Sequence, residues 1–276
     1  MILSHIRRPL VMGILNITPD SFSDGGKFIE PDRAIQHAKR MVDEGADIID
    51  IGGESTRPGS ERVNAGEQIN RVIPVIEELA RILPAGFPIS IDTTSARVAR
   101  CAIDAGASII NDISGGEDDA AIIDLAAAAG VHIILMHKLG APATMQENPV
   151  YEDVVEEVKT YLLNRAAVAE DTGVEKRKII IDPGIGFGKT YEHNLQLMER
   201  LDRFTTTEYP VLLGTSRKTF LKKICQVDDT RGLIGATCAT TVLGVMAGVR
   251  IVRVHDVRQN REALEVAWAL RSARNS

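Results

Sequence analysis

Apolar residues fall along this chain in eight short runs, at 10–15, 47–51, 88–91, 108–111, 132–136, 178–181, 210–214 and 250–254. Each is rich in Ile, Val or Leu without clean polar alternation, the pattern of a strand covered on both faces in a parallel sheet. Between the runs the spacing changes to the period of an amphipathic helix. Segment 65–83 carries Ile69, Val72, Ile73 and Ile76 at that spacing. Segment 31–45 opens on Pro31 and Asp32 and stops at Gly45, while 96–105, 118–129 and 150–172 run into Gly106, Gly130 and Gly173. Proline inside the start and glycine past the end is the asymmetry of helix termini. Further helices are predicted over 191–203, over 219–248 with a break near 228–231, and over 258–273. Eight strand–helix units predict an α/β chain of one domain, residues 1–276, closed as a (β/α)8 TIM barrel. An open doubly wound sheet is the alternative.

Composition narrows the function classes. The 276 residues are 44% hydrophobic and 25% charged, ordinary values for a globular chain. A net charge of −6 argues against a nucleic-acid surface, though a local basic cluster still suits a small anion. Cys101, Cys225 and Cys238 form no CxxC pair and fit a reducing compartment, so a cytoplasmic location is expected. The apolar run after Pro9 is broken by Asn16, Pro19 and Asp20 and does not read as a signal peptide. Segment 232–249 has the length of a membrane span, but Gly235, Thr237, Thr240, Thr241 and Gly244 suit a buried, closely packed helix. No membrane association is expected.

The candidate chemistry sits where barrels place their active sites, at the C-terminal ends of the strands. There the chain carries Asn16, Glu54 to Gly59, Asp92, Asn111-Asp112, Met136-His137, Asp182, Ser216-Arg217-Lys218, and Arg253 with His255. Two groups separate by charge. Arg57, Arg253, His255 and Asn16 suit a polyanion, with guanidinium pairing phosphate oxygens and Asn16 offering a neutral oxygen to Mg²⁺. Asp92, Asn111, Asp182 and Lys218 suit a heterocycle with parallel N–H donors, or alternatively a buried ion pair that holds the barrel top together.

Other motifs fall away. Gly188-Lys189-Thr190 imitates the end of a phosphate-binding loop, but the required leading glycine is Pro183, which has no N–H. Gly184, Gly186 and Gly188 do not keep dinucleotide spacing. His5, His37 and His193 lack partners at metal-ligand spacing, and no Gly-x-Ser-x-Gly elbow is present.

Seven ordered segments carry a resemblance. They are Gly13 to Gly26 (GILNITPDSFSDGG), Gly52 to Gly59 (GGESTRPG), Ser90-Ile91-Asp92-Thr93, Ile110-Asn111-Asp112, Asp182 to Lys189 (DPGIGFGK), Ser216-Arg217-Lys218 and Arg253-Val254-His255-Asp256. On these segments the chain resembles the dihydropteroate synthases, enzymes of folate biosynthesis. The resemblance implies the barrel fold, a requirement for Mg²⁺, a homodimer, and condensation of 6-hydroxymethyl-7,8-dihydropterin diphosphate with p-aminobenzoate. It implies that Asp92, Asn111, Met136, Asp182, Gly186, Phe187 and Lys218 hold the pterin. Asn16, Arg57, Arg253 and His255 would serve the diphosphate, with Asn16 on the metal. Phe22, Thr56, Arg57, Pro58, Ser216 and Lys218 would surround p-aminobenzoate, and the segments 18–28 and 56–63 would be mobile loops. Asp92, Asp182, Lys218, Arg253 and His255 are the expected catalytic residues. Lys138-Leu139-Gly140 and Ser95 depart from the family pattern without touching these positions. The first loop keeps Ser21-Phe22-Ser23-Asp24-Gly25-Gly26, so sulfonamides are expected to compete with p-aminobenzoate.

Residue chemistry and resemblance imply one mechanism: departure of diphosphate, positive charge spread over the pterin methylene near carboxylates, then attack by the arylamine. Two rivals share the pterin pocket. A methyltransferase acting between a folate and a corrinoid would not need the first loop or Ser216-Arg217-Lys218. A non-catalytic pterin-binding protein would not need the anion residues.

Overall fold

The computed structural model describes residues 8–17, 30–54, 63–140 and 149–274. Among them eight strands form one parallel sheet: β1 (Leu10–Asn16), β2 (Ile48–Gly52), β3 (Ile89–Asp92), β4 (Ile109–Asp112), β5 (His132–Met136), β6 (Ile179–Asp182), β7 (Leu212–Leu213) and β8 (Ile251–Val254). Consecutive strands pair from β1 through β6, β7 pairs with β8, and β1 pairs with β8. A parallel bridge between Ile181 and Val211 joins β6 to β7, with the Ile181 N–H donating to the Pro210 carbonyl at 3.0 Å. The ring therefore closes. A doubly wound sheet would reverse its strand order partway, and this sheet does not.

The helices cover the outside: α1 (Glu30–Asp43), α2 (Ala65–Ile82), α3 (Ala96–Asp104), α4 (Ala121–Ala129), α5 (Val154–Asp171), α6 (Tyr191–Glu199), α7 (Asp202–Thr205), α8 (Thr219–Cys225), α9 (Ile234–Ala247) and α10 (Val257–Arg274). Several differ from their predicted spans, and the helix predicted from 118 begins at Ala121. The helix predicted from 150 begins at Val154, because the Asp153 carboxylate accepts the Val155 and Glu156 N–H groups and caps it there. The segment 191–203 divides into α6 and α7 around Arg200 and Leu201. The break expected near 228–231 is a 3₁₀ turn at Thr230–Leu233 between α8 and α9. Gly130 ends α4 at φ 63°, a left-handed conformation that glycine adopts without Cβ strain.

The strands do alternate, between two apolar destinations. Leu10, Met12, Ile48, Ile109, Ile134, Ile180, Leu212 and Ile251 form a separate cluster inside the ring. The intervening residues, such as Val11, Ile49, Ile110, Ile133 and Val252, join the larger core between sheet and helices. Full burial of one such side chain contributes roughly 1.5–3 kcal/mol, so both layers favour closure. Two residues further along the inward-facing series the character changes, to Asp50, Asp92, Asn111, Met136, Asp182 and Arg253. The barrel thus has an apolar floor and a polar storey above it.

Candidate active site

Arg253 lies at the centre of the polar storey. Its Nε donates to Asp50 Oδ2 at 2.6 Å and its Nη2 to Asp92 Oδ2 at 2.7 Å. Asn111 Nδ2 also donates to Asp50 Oδ2, at 3.1 Å. The division by charge seen in the sequence is therefore no division in space, since Arg253 is bonded to a carboxylate of the other group. Burial raises the Asp92 pKa above the ordinary carboxylate range, against the pull of Arg253 and with reinforcement from Asp50. Burial works against the charge on Arg253, but Asp50 and Asp92 outweigh it and keep its pKa raised.

The loop after β6 builds the next wall. Asp182 Oδ1 accepts the Gly184 N–H at 2.7 Å. Burial pushes Asp182 up to about 6, while Gly184 and Lys218 pull the other way. Lys218 Nζ stands 3.9 Å from the Phe187 ring centroid, a cation–π contact. Burial and Arg253 bring Lys218 down to about 8. Phe187, Met136 and Ile113 form a small apolar cluster beside these charges. A Cβ on Gly184 would overlap the His137 carbonyl oxygen, and one on Gly186 would approach Lys218 Cδ to 3.2 Å. The glycines thus let the loop lie directly on the β5 exit and under Lys218.

Lys189 is buried and serves this loop as a strut. Its Nζ donates to the Phe187 carbonyl at 2.9 Å and lies 2.9 Å from His137 Nδ1. Burial lowers Lys189 to about 7, and burial with the neighbouring Lys189 lowers His137 to about 3. A neutral His137 accepts a hydrogen bond from the lysine, so neither group is set up to hold a phosphate.

On the last two strands Ser216 Oγ lies 3.0 Å from His255 Nδ1 and accepts the His255 N–H at 3.2 Å. Arg217, at φ 59°, turns its guanidinium onto Asp256 through bonds of 2.7 and 3.2 Å. Asn16 ends β1, and a Cβ on Gly52 would stand 3.4 Å from its Oδ1 and 3.5 Å from Asp92 Cβ. Phe22, Thr56, Arg57 and Pro58, with the loops that carry them, and His5 lie outside the described residues. His37 sits 2.6 Å through Nδ1 from Arg40, and His193 completes the capping box of α6 with Thr190.

Three features escaped sequence reasoning. Asp50 is one, a mid-strand residue with no exposed surface. A second is a hydrogen-bonded chain at the root of the second loop. Glu54 accepts the Val63 N–H and Gln68 Nε2, both at 3.0 Å, and Gln68 Oε1 accepts the Thr93 hydroxyl at 3.2 Å. The third is the role of Asp112. Its carboxylate accepts the Ser114 N–H and hydroxyl and the Gly116 N–H, so it shapes a turn while Asn111 faces inward. A short polar side chain followed two to four residues later by Ser and Gly was the signal for that turn.

The family model for pterin binding enzymes matches residues 12–255. The dihydropteroate synthase of Bacillus subtilis (strain 168) is 49% identical over 93% of this chain and 87% of its own length. The chain belongs to the dihydropteroate synthase family of pterin-binding enzymes. The Yersinia pestis dihydropteroate synthase, solved as a sulfonamide drug complex, superposes with a TM-score of 0.90 at 41% identity, covering 96% of this chain and 95% of that one. The Xanthomonas albilineans enzyme in complex with 7,8-dihydropteroate superposes with a TM-score of 0.86 at 38% identity, covering 96% and 95%. Membership fits the location of the polar storey at the C-terminal ends of the strands. A cavity of about 320 Å³, lined by Thr205, Thr207, Tyr209 and Arg250 among others, lies at the opposite end of the ring. It shares no residue with the storey.

Proposed function

We propose that this chain condenses 6-hydroxymethyl-7,8-dihydropterin diphosphate with p-aminobenzoate, releasing diphosphate and forming 7,8-dihydropteroate. The observation that carries the reading is the polar storey. Asp92, Asn111 and Asp182 offer acceptors, Lys218 a donor above Phe187, and Arg253 a cation, gathered at the C-terminal ends of the strands with Asp92, Asp182, Lys218 and Arg253 within electrostatic reach of one another. That set matches a pterin, whose ring carries several N–H donors beside a carbonyl and ring nitrogens. Relatives of this chain are dihydropteroate synthases, one of them solved with 7,8-dihydropteroate.

In this reading the bond between the pterin methylene and the diphosphate oxygen breaks first, and its electron pair leaves with the diphosphate. Positive charge then spreads from the methylene into the ring, where Asp92 and Asp182 favour it electrostatically. The p-aminobenzoate nitrogen donates its lone pair to the methylene and loses a proton. No protein nucleophile is required. Arg253 and His255 stabilise the departing diphosphate. Ser216 and Lys218, with Phe22, Thr56, Arg57 and Pro58, receive p-aminobenzoate, and the two loops exclude water.

The site fits Mg²⁺. Among the described residues no three His, Cys, Asp or Glu side chains gather as a metal cage. Mg²⁺ commonly takes few protein oxygens and completes its shell with phosphate and water. Asn16 presents an amide oxygen at the mouth, beside the space that Gly52 leaves open. When bound there, Mg²⁺ would neutralise charge on the diphosphate.

The proposal extends to a cytoplasmic homodimer. No described helix is long and apolar enough to cross a membrane, and all three cysteines are free. α9 exposes Leu243 and α10, which packs on it, exposes Val266 and Leu270, apolar side chains that a second copy would cover.

Purified protein given pterin diphosphate and Mg²⁺ should release diphosphate when p-aminobenzoate is added, with dihydropteroate formed in step. Pterin binding without turnover would favour the non-catalytic or methyltransferase readings instead. A sulfonamide should raise the KM for p-aminobenzoate without lowering kcat, and unchanged kinetics under drug excess would contradict competition at that site.

A further inference from the structure

We infer that Asp50 is a positioning residue for this reaction: it decides which end of the Asn111 amide looks into the pterin pocket, and it anchors Arg253 beneath the diphosphate. The inference rests on the synthase reading and adds a residue that touches neither substrate.

Asp50 lies one layer below the strand ends, in register with Ile14 on β1 and Ser90 on β3. One of its oxygens, Oδ2, accepts from two directions across the barrel: Arg253 Nε on β8 at 2.6 Å and Asn111 Nδ2 on β4 at 3.1 Å. A carboxylate paired with a guanidinium accepts hydrogen bonds and donates none. Asn111 must therefore turn its nitrogen toward Asp50, which leaves its oxygen for the pocket. With Asp92 and Asp182, that makes three acceptors facing the N–H groups of the ring. Without Asp50 the amide is free to flip, and position 111 would set a donor against a donor.

Arg253 shows the same logic. Its Nη2 is engaged by Asp92 in this structure, yet Asp92 must turn to the ring when pterin enters. Asp50 has no access to the ring and keeps Nε, so the guanidinium stays in place while its outer nitrogen changes partner. A further observation points away from a purely stabilising role. Asp50 Oδ1 is buried without a partner, and so is Asp92 Oδ1. A buried carboxylate with one unpaired oxygen is costly, and such costs gather where function requires them.

The test compares D50V, which removes the acceptor, with D50N, whose single amide oxygen still accepts from both donors. Affinity is measured by titration with 6-hydroxymethyl-7,8-dihydropterin, KM is measured for both substrates, and thermal melting reports folding. D50V should weaken pterin binding and raise the KM for pterin diphosphate at least ~10-fold, the loss expected for a hydrogen bond to a charged group. The KM for p-aminobenzoate should not move, and D50N should return pterin affinity to within about threefold of wild type, a residual well under one tenfold step of ~1.4 kcal/mol. Should D50V fail to fold, D50S replaces it with the same expectation, its hydroxyl being too short to reach both donors. Unchanged pterin affinity in the folded variant, equal shifts in both KM values, or D50N as impaired as D50V would overturn the assignment. Wild-type protein that bound no pterin would remove the synthase reading and this inference together; wild-type binding with equal binding by D50V removes this inference alone.

Discussion

Replacing Asp182 by Asn should make the protein more stable and much less active, and both effects depend on pH. The carboxylate is buried and its pKa stands at about 6, against 3.8 for an ordinary aspartate. At roughly 1.4 kcal/mol per tenfold change in proton affinity, holding this group ionised inside the barrel costs about 3 kcal/mol. The sign follows from proton counting. Between pH values near 4 and 6 the native state binds a proton that the unfolded chain has released, so stability falls as pH rises through that window. The loss is complete above pH 6. Asparagine keeps an acceptor for the Gly184 N–H but carries no charge. It also deprives Lys218 and Arg253 of some favourable attraction, which offsets part of the gain. At pH 8 the net stabilisation should be about 1–2 kcal/mol, a rise in Tm of roughly 2–8 °C for a chain of this size. At pH 4.5 it should shrink toward zero. Turnover should move the other way. A hydrogen bond from the ring to a charged acceptor contributes about 1.5–3 kcal/mol, so kcat/KM for pterin diphosphate should fall about tenfold to a hundredfold. Calorimetric melting at the two pH values, with steady-state kinetics at pH 8, tests both halves. A variant destabilised equally at both pH values would mean that Asp182 is an anchor of the fold, and unchanged kcat/KM would remove it from the site.

Three further outcomes follow from the same geometry. The wild-type kcat/KM for pterin diphosphate should rise as Asp182 ionises near pH 6 and fall as Lys218 loses its proton near pH 8, because this parameter reports free-enzyme groups; a profile flat from pH 5 to 9 would count against both assignments. G184A should lower thermal stability and pterin affinity together, since its Cβ meets the His137 carbonyl at φ 66°, a conformation costing an L-residue roughly 1–2 kcal/mol before any clash; a melting curve unchanged from wild type would refute this. K189M should leave the Phe187 carbonyl and His137 Nδ1 without their buried donor, at about 1–3 kcal/mol of stability, and should weaken pterin binding through the displaced Phe187; a variant equal to wild type in melting and titration would show that the strut is dispensable.

What could be read in advance divides by position along the strand. Strand ends are marked, because an apolar run stops there on polar residues, followed at β4 and β6 by a glycine-rich turn. Asp92, Asn111, Asp182 and Ser216 all stand at or just past such stops, and the structure links Asp92, Asn111, Asp182, Lys218 and Arg253 through hydrogen bonds and electrostatic contacts. Helix limits were readable where a terminal residue carries a local device, as at Gly130, and less so at Val154, where the cap is an aspartate among other acidic residues. The ring closure itself rests on a bridge between Ile181 and Val211, two ordinary apolar residues that carry no local sign of pairing.

Asp50 shows why the rest stayed hidden. It interrupts Ile48-Ile49-Asp50-Ile51 by a single residue, which reads equally well as the polar side of a strand half-exposed to water. Only closure of the ring puts that side inside, and only closure brings Arg253 to it from 203 residues along the chain. Local pattern reports which residues are apolar, but not whether a polar one faces solvent or the axis of a barrel. The same holds for Arg253, read as a cation awaiting phosphate and found bonded to two carboxylates. Its partners follow from the order of the strands, not from its neighbours in sequence. A charged residue at an inward position of a barrel strand, one layer below the strand ends, is therefore a place to look for second partners of site residues that motifs at the strand ends cannot name.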